Sequence, residues 1–196
     1  DVDFSIVKLA SNGSFQWQWQ DGAGSNEDSW GIDLDPADGS VVVAGQTSGT
    51  WGNGNETSGA TGTADFAAFK LDSEGLLLWK WQESTTATDV LRAVTIDVNG
   101  SVVLAGYTEE FDDEVFDVGN QNDTQPAYFV AFKLDSGGNE LWRWQNGTVG
   151  GISKIFAAAA VEDGVVLAGS TNGEWSGVDS AFGEEDFAAV KLNTDG

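Results

Sequence analysis

The stretch DFAAFKLDSEGLLLWKWQ at residues 65–82 is written several times over in this chain. Residues 3–20 read DFSIVKLASNGSFQWQWQ, residues 128–145 read YFVAFKLDSGGNELWRWQ, and the last eleven residues, from 186, read DFAAVKLNTDG. Repetition on this scale constrains the fold more than composition does, because each unit must bury its apolar face against a copy of itself. Aligned on the shared Lys-Leu pair, Lys8, Lys70, Lys133 and Lys191 fall in register, 62, 63 and 58 residues apart. Between the copies lies a second recurring stretch. It reads WGIDLDPADGSVVVAGQT, then RAVTIDVNGSVVLAGYT, then FAAAAVEDGVVLAGST. A period near 60 residues that holds two hairpins predicts a four-stranded repeat. The repeats start near residues 3, 65, 128 and 186 within a single domain spanning 1–196.

Nothing in the repeat reads as a helix. The apolar residues are mostly β-branched or aromatic and come in short runs bounded by Gly, Asn, Asp and Ser, the pattern of strands and tight turns. Residues 155–160, IFAAAA, have helix propensity on their own but align with RAVTID, so they read as a strand. Gly in LASNGS, LDSEGL and LDSGGN sits where a short hairpin loop needs positive φ. Calling the strands of one repeat a, b, c and d, the a–b and c–d links are tight turns. The b–c links are loops of about 15 to 20 residues, rich in Gly, Thr and acid, where contacts with partners are expected.

Strand a carries a small column at Gly31, Ala93 and Ala157, and strand b carries Ala44-Gly45, Ala105-Gly106 and Ala168-Gly169. Strand d carries bulk in its Trp-x-Trp pairs, Trp17 and Trp19, Trp79 and Trp81, Trp142 and Trp144. Small residues inside and large ones outside suit sheets that radiate from an axis. The expected fold is therefore all-β: four-stranded β-propeller blades forming an incomplete arc of about three blades. Counting c and d, two full sets, then a, b and c predicts 13 strands. The hairpin with G-S-V-V-x-A-G-x-T, followed by D-F-x-x-x-K-L-D-x-x-G-x-x-x-W, resembles the SBBP and delta-60 type β-propeller repeats of secreted and surface proteins. That resemblance covers nearly the whole chain and implies an extracellular or envelope setting with no shared catalytic residue. The doubled Trp-x-Trp and the acidic b–c loops depart from the pattern.

Charge narrows the partners. With 32 acidic residues against 8 basic ones, the net charge of −24 repels nucleic acid and anionic lipid, which bind clustered cations. The absence of Cys excludes disulfides, and the absence of His removes the commonest general base and zinc ligand. The absence of Met points to a processed chain or a piece of a longer one. No apolar run is long enough for membrane insertion by a helix. Five N-glycosylation sequons, at Asn12, Asn55, Asn99, Asn122 and Asn146, fit a secreted protein.

The recurring lysines read as structural, with stems packed between sheets and ammonium groups paired to carboxylates at equivalent sites. The Trp-x-Trp pairs read as packing between blades. Trp51, Phe111 and Trp175 follow strand b at the start of the long loops and are the candidate ligand-binding aromatics for a sugar. The loop with Glu109, Glu110, Asp112, Asp113, Glu114 and Asp117 offers oxygens for weak calcium binding, but its spacing matches no EF-hand. No metal or other cofactor is expected, and no acid–base pair or nucleophile motif stands out. The expected function is a secreted, non-enzymatic propeller segment with a structural, adhesion or assembly role, partnered by other chains or copies of itself. A glycan-binding module and a carboxylate-dependent carbohydrate enzyme are the alternatives.

Overall fold

The structure is a computed structural model that describes residues 2–51, 63–109, 127–147, 151–173 and 185–196. Among the described residues there are 13 strands and no helix. The first sheet pairs β1 (Phe4–Leu9) with β2 (Phe15–Asp21). The second is the meander β3 (Glu27–Leu34), β4 (Val41–Thr47), β5 (Asp65–Leu71) and β6 (Leu77–Glu83). The third repeats it with β7 (Asp89–Ile96), β8 (Val102–Thr108), β9 (Tyr128–Leu134) and β10 (Glu140–Asn146). The fourth holds β11 (Ser153–Val161), β12 (Gly164–Thr171) and β13 (Asp186–Leu192). Every pairing within a sheet is antiparallel. The run at 155–160 is strand, as its register requires.

The turns form for local reasons. In the turn after β5, Asp72 Oδ1 accepts from the Glu74 and Leu76 amides, and Gly75 takes φ of 85°. In the turn after β9, Asp135 Oδ1 accepts from Gly137 and Asn139, and Gly138 takes φ of 86°. Asp side chains that bond two residues ahead, with a Gly in the left-handed region, close a hairpin without straining an L-residue.

Period-two alternation then gives the central strands of the second and third sheets two buried faces. In β5, Ala67, Phe69 and Leu71 pack towards the first sheet with Phe4, Val41 and Val43. Phe66 and Ala68 pack towards the third sheet with Leu104, Val130 and Phe132. A third apolar layer, around Phe129, Ala131, Ile155 and Leu167, joins the third and fourth sheets. These layers form one stack of four sheets with three apolar junctions.

Each junction is fastened at the same places. At the outer strands, Trp17 Nε1 donates to the Ser73 carbonyl (2.9 Å), Trp79 to Ser136 (3.1 Å) and Trp142 to Thr194 (3.0 Å). At the start of the inner strands, the Glu27 amide donates to the Val2 carbonyl, Asp89 to Ala64 and Ser153 to Ala127. Further along, Asp33 Oδ2 accepts from the Ile96 amide and Thr95 Oγ1 accepts from the Ala160 amide. The inner strands β3, β7 and β11 lie against one another in turn. A Cβ added at Gly31 would stand 3.1 Å from the backbone of Ala93 and Val94, so the small column on the first strand of each sheet marks a true close approach.

The Gly column of the second strand has a different cause. β3, β7 and β11 each carry a bulge, at Trp30, Arg92 and Phe156, where one residue drops out of register. Opposite the bulge, a Cβ on Gly45, Gly106 or Gly169 would lie within 2.0 Å of the carbonyl oxygen of Asp28, Val90 or Lys154. The sequence suggests crowding between sheets at an axis. The structure assigns these three glycines instead to a bulge within each sheet.

Candidate functional site

The repeated lysines come first, because the alternation of β5, β9 and β13 fixes where they point. Lys70 lies beneath the turn between β3 and β4, 3.8 Å from Asp35, with both side chains buried. Lys133 meets Asp97 at 3.1 Å and Lys191 meets Asp163 at 2.6 Å, each in the matching turn of its own sheet. Burial pushes the Asp97 carboxyl upward. The Lys133 ammonium and the Asn99 and Ser101 amides outweigh it, and its pKa ends below the usual carboxylate value. Lys8 departs from the expectation of a carboxylate partner. Its Nζ bonds the Ser73 carbonyl of the second sheet at 2.8 Å, because the two-stranded first sheet has no turn that supplies an aspartate.

A graded effect follows. Lys133→Met leaves Asp97 without its cation in a mostly buried setting and is expected to cost about 1–2 kcal/mol. Lys191→Met, at an exposed pair, is expected to leave the denaturation midpoint unchanged. Urea unfolding of the two variants checks the contrast, and equal losses would show that desolvation of the pair is immaterial.

Trp51 is not presented to solvent. Its ring is 3 % exposed and fills the gap between the first and second sheets, 4.7 Å from Phe4 and edge-on to Phe69 at 5.6 Å. Its amide donates to Gln82 Oε1 at 2.8 Å, and Lys80 Nζ lies 4.7 Å from the ring centre. A ring enclosed in this way has no face for a sugar, which corrects the expectation that it serves as a ligand-binding aromatic. Phe111 and Trp175 lie outside the described residues, as do Asn55, Asn122 and the acidic positions Glu110, Asp112, Asp113, Glu114 and Asp117. Of the sequons, Asn12, Asn99 and Asn146 are exposed. Among the described residues, no group of three or more acidic side chains is placed to hold a metal ion.

Two carboxylates combine full burial with a raised pKa, and sequence patterning did not mark them. Asp65 and Asp89 flank the junction between the second and third sheets and are both 0 % exposed. Asp65 Oδ2 accepts from Gln82 Nε2 at 2.7 Å, while its Oδ1 has no partner. Burial raises the pKa of Asp65 against that hydrogen bond. Asp89 accepts from the Thr85 amide and hydroxyl, yet burial, reinforced by the charge of Asp65, lifts its pKa to about 6. The nearby cavity, lined by Phe66, Thr85, Thr108 and Arg143 among others, holds about 60 Å³. That is room for one or two water molecules, well short of a sugar ring.

Among the described residues, the two outermost faces are unpartnered. On the first sheet, Val7 (55 % exposed) and Leu9 (56 %) occupy the positions that Phe69 and Leu71 occupy, fully buried, in the second. On the fourth sheet, Phe187 is entirely exposed where Phe66 in the second is 1 % exposed. Beside it runs a groove of about 480 Å³ lined by Phe156, Gly169, Ser170, Glu185, Asp186 and Phe187. Each outermost face therefore repeats a face that the molecule buries elsewhere. A sequence signal for this existed, since Val7 and Leu9 share one side of a strand in a sheet of only two.

No family model matches the chain, and no curated protein matches its sequence. The resemblance to SBBP and delta-60 type repeats rests on the motif residues quoted above.

Proposed function

We propose that the chain is an arc of β-propeller blades acting as a non-enzymatic structural module outside the cell, and that it assembles with further copies head to tail. The propeller reading is supported by the inner strands lying against one another and by three junctions fastened at matching positions. The extracellular setting is supported by the exposed sequon residues Asn12, Asn99 and Asn146. The observation that carries the assembly reading is the match between the two outermost faces and the two sides of every internal junction. The side led by Phe187 corresponds to the side of Phe66, and the side of Val7 and Leu9 corresponds to that of Phe69 and Leu71. Faces that are complementary inside one molecule are complementary between two, and the contact is heterologous, so it can propagate. Two incomplete sheets also leave unpaired strand edges, which recruit further strands.

Sedimentation velocity tests this reading. The parent is expected to form oligomers whose size grows with concentration, and Val7→Asp or Phe187→Asp is expected to stop that growth. Each variant keeps one intact face, so a mixture of the two forms a capped dimer. A parent that stays monomeric across the concentration range, or a mixture that yields no dimer, would overturn the reading.

A further inference from the structure

Six of the eight basic side chains have an oxygen partner. Lys8 meets the Ser73 carbonyl, and Lys70, Lys80, Lys133, Arg143 and Lys191 meet carboxylates. The remaining two are Arg92, at the bulge of β7, and Lys154 on the neighbouring inner strand β11. Among the described residues neither has an oxygen within bonding distance, and Arg92 Nε is buried without an acceptor. In a chain with four acids for every base, two cations without a partner among the described carboxylates are conspicuous, and they share one location. Arg92 Cζ stands 5.9 Å and Lys154 Nζ 4.3 Å from the centre of the Tyr107 ring.

The surroundings specify more than charge. Arg92 Cζ also lies 4.0 Å from the Trp30 ring centre, so the guanidinium is held by an aromatic system on the neighbouring sheet. That contact orients a cation without using its in-plane N–H donors. Trp30 is 49 % exposed, and Phe156, at the equivalent bulge of the fourth sheet, is 52 % exposed. The three bulges thus set a fixed cation between two half-open aromatic residues along adjoining inner strands. Two like charges beside one ring repel each other, and an oxyanion accepting from both relieves that repulsion with charge-assisted hydrogen bonds.

We propose that Arg92 and Lys154 bind the carboxylate or sulfate group of an acidic saccharide whose ring lies against Trp30. The cations supply the anion contact, and the open part of the Trp30 ring supplies an apolar face for the sugar. The site belongs to a single chain, and its contact residues Arg92, Lys154 and Trp30 are distinct from Val7, Leu9 and Phe187 of the assembly faces. It stands or falls separately from head-to-tail association.

The test is calorimetric titration of the Val7→Asp/Phe187→Asp double variant, kept monomeric, with oligogalacturonate, sulfated dextran, neutral dextran and inorganic sulfate. Saturable binding of an acidic saccharide, with none of neutral dextran, is expected. Lys154→Gln and Arg92→Gln should each weaken it by about tenfold or more, while Arg143→Gln, at a paired cation, leaves it unchanged. Lys154→Gln keeps most of the side-chain stem beside Tyr107, and its thermal midpoint separates lost binding from lost folding. Trp30→Ala should weaken saccharide binding and spare that of inorganic sulfate. No saturable binding of either acidic saccharide, or binding that survives both cation changes, would overturn the proposal. Inorganic sulfate bound as tightly as the saccharides would overturn its saccharide part.

Discussion

Gly138→Ala is expected to lower the unfolding free energy by about 2–4 kcal/mol, against about 1–2 kcal/mol for Gly13→Ala. The two glycines hold the same place in their turns, with φ of 86° and 83°, so the backbone cost of a side chain is common to both. Their surroundings differ. A Cβ at Gly13 meets nothing within 4 Å, whereas one at Gly138 meets the Trp79 ring at 2.9 Å. Gly75 stands against Trp17 in the same way at 2.7 Å. The indole lies on the turn glycine of the next sheet while its N–H bonds that turn, so the extra loss measures how tightly one sheet is laid on the next. Urea denaturation of both variants, and of Gly138→Ala combined with Trp79→Ala, checks this. Trp79→Ala alone should cost about 3 kcal/mol, and in its background Gly138→Ala should fall to the Gly13 value. Equal losses for the two glycine changes in the parent would show that the indole contact carries no energy.

The second large effect is one of pH. Asp89 has a folded pKa of about 6 against an ordinary 3.8, so between those values the folded chain binds a proton that the unfolded chain does not. Stability from this group therefore falls as pH rises through that window and recovers as pH is lowered. The span corresponds to about 3 kcal/mol. The protein should gain that margin relative to an Asp89→Asn variant on going from neutral pH to about 4. Taking the difference between parent and variant cancels the opposite contributions of Asp97 and Asp163, whose pKa values are lowered. A difference that stays constant with pH would mean that Asp89 ionises as an ordinary surface acid. At the next junction the equivalent inner-strand position is Ser153, bonded to Thr171, so a neutral residue is already accommodated at that place.

Much of the strand order was legible, because turn chemistry and period-two alternation are local. Asp72 and Gly75, or Asp135 and Gly138, announce their hairpins within five residues. Less legible was whatever depends on residues far apart in sequence. Trp51 follows a strand and opens a long loop, which reads as surface, but Phe4 and Phe69 enclose it from two other strands. Lys8 carries the same letter as Lys70 and Lys133, yet its partner is set by which strands its sheet contains. The bulges were hidden more thoroughly, since Trp30, Arg92 and Phe156 share no single residue type, two being aromatic and one a cation. Only the glycines opposite them, Gly45, Gly106 and Gly169, record the feature, and a glycine does not say what it makes room for. For the same reason the cluster around Tyr107 escaped notice: Arg92 and Lys154 are 62 positions apart and meet only through the bulged inner strands.

The outer fastening has a further property. Trp79 and the turn at Asp72–Leu76 belong to one hairpin, so the donor for the next sheet and the acceptor for the previous one are inherited together. A gene segment encoding that hairpin with its inner pair carries both halves of the joint. Tandem duplication then extends the array without any new contact having to arise, and unequal crossing-over changes its length while every surviving joint stays intact. Drift is penalised on both sides of a copy at once, since altering the tryptophan or the turn glycine loosens a neighbour. Trp and Gly recur together in copies whose remaining positions differ as far as Ser5, Ala67 and Val130, the pattern such a coupling would leave.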